Sequence, residues 1–586
     1  MLQSNNMPAE GTAVFCVLNA KYVHASPAPW CLAAGVKAYA PELYSRVRII
    51  EANINQPPDE VLTRIINTAP AVVGFSCYIW NIEVTLKLCS ELKRVLPGVI
   101  VVLGGPEVSY RVKDILLNNT QIDYILAGEG EKSAAEFLEA VFYNDSNDLL
   151  PECAQAIAGL CWRYKDGTIY ENEPCVLSGP VPSPIEAGYA AAVEGRIAYF
   201  ETSRGCPYSC AFCLSGRCGA PRYFPSDAIW RDLLLLANSG ARTIKFVDRT
   251  FNANAVHANK ILQFILENYG EEIPIRACFH FEIAGDILKE ETFALLDHIP
   301  IGAVQLEIGM QSFHEPTLKA VRRKTDTAVL QANIRRLIAM GNMHIHIDLI
   351  AGLPQEDLPI FAESFNKAYA LKAHMLQLGF LKLLHGSAMR DEPQEYPCSF
   401  DEKPPYEVQS TPWLSERDFD LLRYTENALD RVYNSGRFSL TLDYVLGVSG
   451  KTPFEFFKEF GVAAHEAGVA SRASLDDFTA VFSRYCAAID NVDSEMLRDA
   501  LVRDRLATNS TGYLSPCLYR QDDNMARALR WLSDNPATAP KKGVRRGAAL
   551  LYAANTVCWV DYDADKRNPV TRRWQLNEMP LDIILR

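Results

Sequence analysis

The sequence predicts an α/β chain in three parts: an N-terminal doubly wound parallel sheet, a central barrel of parallel strands and a mainly helical C-terminal domain. Two strand patterns, and the fading of strand signals after about residue 395, carry that expectation. Between about residues 12 and 142, continuous apolar runs at 13–18, 47–51, 71–76, 99–103 and 124–127 alternate with helical patterns such as 81–96. Val/Ile/Leu runs without alternation belong to strands covered on both faces. Five of them separated by helices make a doubly wound sheet, whose ligands bind at the carboxyl ends of the strands.

Residues 146–192 read as a hairpin and linker. Lys165-Asp166-Gly167-Thr168 interrupts the alternating 160–170 segment, and an Asp-Gly pair in that setting turns one strand back on the next. Pro180, Pro182 and Pro184 follow. From residue 197 the strands resume with a different pattern. In 275–284, Arg276, Cys278, His280 and Glu282 share one face, against Ile275, Ala277, Phe279, Phe281 and Ile283. In 304–311, Gln305, Glu307 and Gln311 oppose Val304, Leu306, Ile308 and Met310, and His344, His346 and Asp348 alternate with Ile345, Ile347 and Leu349. An antiparallel sheet with one wet face would also show this pattern. The helical segments between the strands, at 293–298 and 327–340, favour parallel strands curling into a barrel with a polar interior. Helical patterns at 416–435, 453–462, 474–489 and 494–504 fill the remainder. The expected domains are therefore 1–145, 146–192, 193–395 and 396–586.

A chain of 586 residues, 48% hydrophobic and 22% charged, has room for several buried cores. Its formal net charge of −13 argues against a nucleic-acid partner, which calls for a basic surface. No apolar run approaches the roughly 18 residues of a membrane span, and the first ten residues lack a basic segment leading into an apolar core. A cytoplasmic protein without a membrane partner is the expectation. Sixteen cysteines are spread along the chain, as buried free thiols would be in a reducing compartment.

One cysteine group is tight. Glu201-Thr-Ser-Arg-Gly-Cys206-Pro-Tyr-Ser-Cys210-Ala-Phe-Cys213 follows the first barrel strand, so three thiols at a strand's carboxyl end can converge on one soft metal centre. Spacing alone leaves zinc open, with Cys218 as a fourth ligand. The segment resembles the signature of the radical S-adenosylmethionine (SAM) superfamily, Cys-x3-Cys-x-aromatic-Cys, with Phe212 in the aromatic place. That resemblance implies a partial barrel of six strands and a 4Fe-4S cluster on Cys206, Cys210 and Cys213. It also implies SAM on the iron that no cysteine holds, cleavage to a deoxyadenosyl radical, and a low-potential electron donor such as flavodoxin or ferredoxin. Asp348-Leu-Ile-Ala-Gly-Leu-Pro354-Gln-Glu resembles the superfamily's fifth-strand motif and places Ile350 at the adenine. Leu306-Glu-Ile-Gly-Met-Gln-Ser312 with Arg322-Arg-Lys324 resembles its fourth-strand region, making Glu307, Gln311 and Arg323 candidates for SAM contacts. Phe212 and Glu282 join them. The Gly-Gly-Glu usual after strand two is replaced by Phe246-Val-Asp-Arg-Thr-Phe-Asn252, which leaves Asp248 as the SAM candidate there.

Placed before such a barrel, the first domain resembles the cobalamin-binding domains of the cobalamin-dependent radical SAM group, a likeness that covers residues 12–390. Val73-Gly-Phe-Ser76-Cys-Tyr-Ile-Trp80-Asn, Val102-Leu-Gly-Gly-Pro-Glu-Val-Ser109 and Gly128-Glu-Gly-Glu131 carry it. The resemblance makes Asn19, Ser76, Tyr78, Trp80, Gly104, Gly105, Pro106, Glu107, Gly128, Glu129 and Gly130 candidates for cobalamin contacts. The Asp-x-His-x-x-Gly of methionine-synthase-type domains is absent: the first loop reads Asn19-Ala-Lys-Tyr-Val-His24-Ala-Ser, and no protein histidine is expected on cobalt. A methylthiotransferase-type module with a second cluster would need three further placed cysteines, and Cys16, Cys31, Cys77 and Cys89 do not match its motifs. The helical remainder looks like an uncharacterised domain that accompanies one subfamily. Methyl transfer from methylcobalamin to an unactivated carbon of a small, natural-product-like substrate is the leading expectation. An oxidoreductase or cyclase resembling the anaerobic porphyrin-ester cyclase comes second, and a cobalamin-responsive binding protein third.

Overall fold

The computed structural model describes residues 11–143 and 151–585 and divides into two compact units: Met1–Glu282 with Lys382–Val408, and Ile283–Leu381 with Gln409–Arg586. Met1–Glu10, where the absence of a leader was read, and the 145/146 boundary lie outside the described residues.

In the first unit the parallel strands Thr12–Asn19, Val47–Asn53, Pro70–Ser76, Ile100–Gly104 and Tyr124–Leu126 form the doubly wound sheet, with Val47–Asn53 at one edge and Thr12–Asn19 beside it. The strand order reverses between Thr12–Asn19 and Pro70–Ser76, so the loops after Asn19 and Ser76 flank the switch point where such sheets bind ligands. The continuous apolar run of Thr12–Asn19 is buried on both faces, as expected. Val14, Cys16 and Leu18 pack into one core, Ala13 and Phe15 into the other. Helices Ala28–Tyr39 and Gly130–Phe142 cover the second face at very short range: a Cβ on Gly35 would lie 2.1 Å from the backbone oxygen of Glu131. The Asp-Gly hairpin is present, Leu160–Arg163 pairing antiparallel with Ile169–Glu171 and extending the sheet edge.

The same unit holds the parallel strands Ile197–Phe200 and Thr243–Phe246 and, up to Glu282, the strand Phe279–Ile283. The last is shorter than expected. Residues 275–278 are not strand, and Ile275 is exposed, so Arg276 and Cys278 fall outside the alternating polar face. His280 and Glu282 stay on it, half-buried, between fully buried Phe279, Phe281 and Ile283.

In the second unit Val304–Gln311, His344–Ala351 and Met375–Phe380 are parallel neighbours, with helices Thr327–Met340 and Leu358–Ala370 between them in sequence. The alternation of parallel strands and helices expected from residue 197 onward is present in each unit. The free edge of Met375–Phe380 is satisfied by a side chain: Asn434 accepts from Leu376 N and donates to Leu376 O, each at 2.9 Å. Helices Glu416–Leu429, Ser439–Ser449, Pro453–Glu466, Leu475–Ala487 and Ser494–Thr508 follow, the middle ones joined by a cluster of Phe456, Phe460, Phe478 and Phe482. The mainly helical expectation misses an antiparallel three-stranded sheet, Arg546–Leu551, Thr556–Asp561 and Asn577–Pro580.

Candidate active site

The three signature cysteines lie on a loop pinned at both ends. Ser203–Arg204 pairs antiparallel with Arg222–Tyr223, and Cys206 N donates to Gly219 O at 3.0 Å. Gly205 has φ +111°, and a Cβ there would lie 2.6 Å from Ala220 O, so the close crossing of the loop's two arms requires glycine. Within the loop Cys213 N donates to Cys210 O, and Met389 N donates to Ala211 O. Cys206 and Cys213 are half-buried free thiols and Cys210 is buried, whereas Cys218, at the end of the 214–217 turn, is exposed. An all-thiol donor set of three partly sheltered sulfurs, with the fourth cysteine exposed, fits a cluster with one open iron better than a closed zinc site. Phe212 is half-buried between the second and third cysteines.

Asp248, the SAM candidate after the second barrel strand, is hydrogen-bonded within the chain. It is 1% exposed and accepts from Thr202 N (3.0 Å), Thr202 Oγ1 (2.7 Å) and Ser203 Oγ (2.5 Å). Because the Thr202 hydroxyl proton goes to Asp248, His257 must donate to Thr202 Oγ1, 3.0 Å away, through Nε2. Burial pushes Asp248 up to about 6 against the three hydrogen bonds that favour its charge. It holds the exit of the first barrel strand from which the cysteine loop departs. Its three hydrogen bonds thus go to the residues that lead into that loop. Glu282 pairs with Lys245 at 3.0 Å and remains partly exposed.

At the carboxyl end of the N-terminal sheet, the cobalamin candidates fall into two groups. Trp80 is 44% exposed and stacks on Tyr78, with ring centroids 4.5 Å apart and planes within 5°. That flat aromatic platform beside the switch point fits a macrocycle. Buried Asn81 fixes it, donating to Leu18 O and Ser76 O and accepting from Tyr78 N. Others make contacts within the protein. Asn19 is buried, donating to Glu51 and accepting from Ser26 N. Gly105, at φ +103°, permits the 104–107 loop to approach Cys77 O, which a Cβ would meet at 2.5 Å. Pro106 opens the following turn. Glu107 is buried, 2.8 Å from Arg111 Nη2, and accepts from the Tyr406 hydroxyl. Burial raises its pKa, and Tyr406 and Arg111 oppose the rise. Gly128 bridges to Cys175, Glu129 is engaged by Arg204 and Arg222, and Gly130 starts the following helix. Sequence reasoning passed over Arg111, Tyr406, Arg204 and Arg222. Arg204 stood inside the quoted signature, whereas Tyr406 lies 299 residues from its partner and carried no local signal.

In the second unit the polar face is as read. Along Val304–Gln311 burial alternates strictly, Glu307 lies opposite His346, and Gly309 lies opposite Asp348. His346 is 8% exposed and stands between two carboxylates: Nε2 is 2.8 Å from Asp348 Oδ1 and Nδ1 is 3.9 Å from Glu307 Oε2. Gln311 has φ +71° at a bulge, and Arg323 donates to Gly309 O at 2.5 Å, which brings both SAM candidates to Gly309. Gln311 Oε1 is buried without a hydrogen-bond partner among the described residues, as an atom reserved for a ligand would be. Ile350 is half-buried on the same face as Asp348.

Glu356, quoted in the fifth-strand motif but given no role, is fully buried and accepts from Ser312 and Ser364 through Oε1. Burial pushes it up to about 7 from 4.5. The folded chain therefore holds this proton more tightly than the unfolded chain does. Its contribution to stability is fully present below about pH 4.5 and is lost as pH rises through about 7. The loss amounts to about 3 kcal/mol. Glu356→Gln keeps an acceptor for both serines. It is expected to flatten the fall in urea midpoint between pH 5 and 8 and to exceed the parent above about pH 7. An unchanged slope would show that Glu356 is ionised throughout.

Comparison with known proteins agrees with this layout. The B12 binding domain family matches residues 16–138, the radical SAM superfamily 200–367, and a family described as a protein of unknown function, DUF4080, 394–531. The chain is 27% identical over 329 residues to the 2-(S-pantetheinyl)-carbapenam-3-carboxylate methyltransferase of Streptantibioticus cattleyicolor, 51% of this chain and 45% of that one. It is 25% identical over 308 residues to the anaerobic magnesium-protoporphyrin IX monomethyl ester cyclase of Synechocystis, 50% of this chain and 58% of that one. These matches span about half the length of each relative. Among solved structures, the cobalamin-dependent SAM radical enzyme OxsB with aqua-cobalamin and SAM bound shares the fold, with a TM-score of 0.54 at 15% identity over 85% of this chain and 79% of that one. TsrM from Kitasatospora setae gives 0.53 at 18% identity over 65% and 76%. Among the described residues no helix is long and apolar enough to cross a membrane. With a B12-binding domain on the doubly wound sheet and a radical SAM domain that begins on the strand before the cysteine signature, the chain carries the two domains of the cobalamin-binding radical SAM enzymes.

Proposed function

We propose that the protein methylates an unactivated carbon of a small-molecule substrate, using a 4Fe-4S cluster, SAM and cobalamin. The observation that carries this reading is the union, in one compact unit, of the three-thiol loop with a doubly wound domain bearing an exposed Tyr78–Trp80 platform at its switch point. When bound, the cluster and SAM supply a carbon radical and the corrinoid supplies a methyl group. The chain's own work is positional. Cys206, Cys210 and Cys213 hold the metal, and the Asp248–Thr202–Ser203 hydrogen bonds fix their loop. Gln311, Arg323, Glu307 and Ile350 offer SAM donors, acceptors and an apolar face. Holding the reactants in place and excluding water is the main contribution of a protein around such cofactors.

Protein purified anaerobically with cobalamin and supplied with SAM and reductant should release both deoxyadenosine and S-adenosylhomocysteine, and a candidate substrate should gain the mass of one CH₂ per methyl. Deoxyadenosine alone, with a product lighter by two hydrogens, would replace the methylation reading with the second one. That second reading, oxidation or cyclisation, has its own support in the imidazole of His346 held between Glu307 and Asp348, since an oxidation must dispose of a proton that radical methyl transfer does not produce.

Cobalt should carry no ligand from His24. That residue lies in a two-residue strand paired with Ile197–Phe200, its Nδ1 2.7 Å from the Tyr199 hydroxyl, and burial lowers its pKa. His24→Ala is expected to leave the electron paramagnetic resonance of bound cob(II)alamin unchanged. Loss of a nitrogen splitting in the variant would assign His24 to the metal.

A further inference from the structure

The loop after the fifth parallel strand and the cysteine loop are joined by a sheltered ion-pair group that no motif records. Arg204, two residues before Cys206, directs its guanidinium to three carboxylates: Glu131 Oε1 at 2.7 Å, Glu201 Oε2 at 2.8 Å and Glu129 Oε2 at 3.4 Å. Arg222 lies directly opposite Arg204 in the short antiparallel pair that closes the cysteine loop, and it engages Glu129 Oε1. The two arms of the loop therefore grip the same carboxylate, one at each oxygen. Glu129 Oε2 also accepts from Leu177 N at 3.0 Å, and Arg222 Nη1 donates to Leu177 O at 2.5 Å, so the linker is drawn into the same group. Glu131 is 3% exposed and the Arg204 side chain 16%.

At this depth the attachments are stiff. A guanidinium presents its donors in a fixed planar fork, and charge-assisted bonds of this kind are short and directional. Displacing one loop would strand a buried charge on the other. The 128–131 segment, which leads into the helix Gly130–Phe142, is one of those whose sequence marks the cobalamin domain, and the 205–221 loop carries the cluster thiols. We propose that Arg204 and Arg222 are positioning residues that couple the two cofactor loops, so that corrinoid bound to the N-terminal domain slows loss of the cluster, and the cluster strengthens corrinoid binding. Ordering one loop removes part of the entropy cost of ordering the other, and such a coupling acts equally in both directions. The inference rests on the reading that the doubly wound domain holds a corrinoid.

The test uses full-length, anaerobically reconstituted protein. Iron release to a chelator is followed by the decay of cluster absorbance, with and without hydroxocobalamin, and the dissociation constant for hydroxocobalamin is measured for cluster-loaded and cluster-free protein. In the parent, cobalamin should slow release at least about fivefold, and the dissociation constant for hydroxocobalamin should tighten when the cluster is present. Arg204→Lys keeps the charge and loses the fork, and Glu129→Gln keeps the shape and loses the charge. Each is expected to retain both cofactors while bringing the ratio of release rates close to one. A purely structural role would speed release with and without cobalamin alike and leave that ratio intact, which would overturn the coupling. Equal release rates in the parent would overturn it too. Should both variants fail to fold, the more exposed Arg222→Lys carries the same expectation. If the parent binds no cobalamin at all, the corrinoid reading falls and the coupling with it. Cobalamin bound without any effect on iron release refutes the coupling alone.

Discussion

Cys206→Ala, Cys210→Ala and Cys213→Ala are each expected to abolish the brown iron–sulfur chromophore of anaerobically reconstituted protein, while Cys218→Ala retains it. The three thiols share a loop closed by the Ser203–Arg204 and Arg222–Tyr223 pair, with Cys210 buried at its base. Cys218 is exposed beyond the turn that Cys213 begins. A cubane that keeps one iron for a ligand has no protein thiolate to spare, so removing one of three sulfurs leaves two, too few to retain it. Iron and sulfide content by chemical analysis, with the visible spectrum, checks all four variants. A colourless parent holding one equivalent of zinc would refute the assignment, and so would a Cys218→Ala variant that loses its iron.

The second large effect is expected at Asp248. Replacing it with alanine leaves Thr202 N, Thr202 Oγ1 and Ser203 Oγ without their acceptor in a site closed to water. An unsatisfied buried donor costs about 1–3 kcal/mol, so a loss of roughly 3 kcal/mol or more is expected. Because the strand exit that these groups fix leads within four residues to Cys206, iron occupancy should fall with the thermal midpoint. Asp248→Asn retains one acceptor oxygen but turns an amide N–H₂ toward a donor, and should fall between the two. If Asp248→Ala keeps the parent midpoint and loses only SAM binding, the carboxylate serves the ligand after all.

Short-range chemistry was legible from the sequence alone. Unbroken apolar runs gave the doubly wound strands, because a strand covered on both faces has no polar side to show. Strict alternation gave the polar barrel face, because successive side chains of a strand point opposite ways. The cysteine spacing and its aromatic neighbour gave the metal loop. Each of these signals is written within about ten residues. The strand at 275–284 was overextended because alternation continues through Arg276 and Cys278, although the chain there is turn and Ile275 is exposed. The C-terminal sheet was missed for the opposite reason. Gly547, Ala548 and Ala549 give Arg546–Leu551 a weak pattern, and the turn that follows is held by Asp499, which accepts from Tyr552 N, Ala553 N and Ala554 N.

What only the tertiary structure decided is the use made of polar groups whose partners are far away in sequence. Glu107 and Glu129 are candidates for cobalamin contacts through the resemblance of their segments to cobalamin-binding domains. In the folded chain Glu107 belongs to Arg111 and Tyr406, and Glu129 to Arg204 and Arg222. Asp248 likewise serves Thr202 and Ser203, 46 and 45 residues earlier. A carboxylate's type and local spacing are the same whether it faces a cofactor or an arginine. Which one it faces depends on what the fold brings within about 3 Å, because a buried charge must find a partner there.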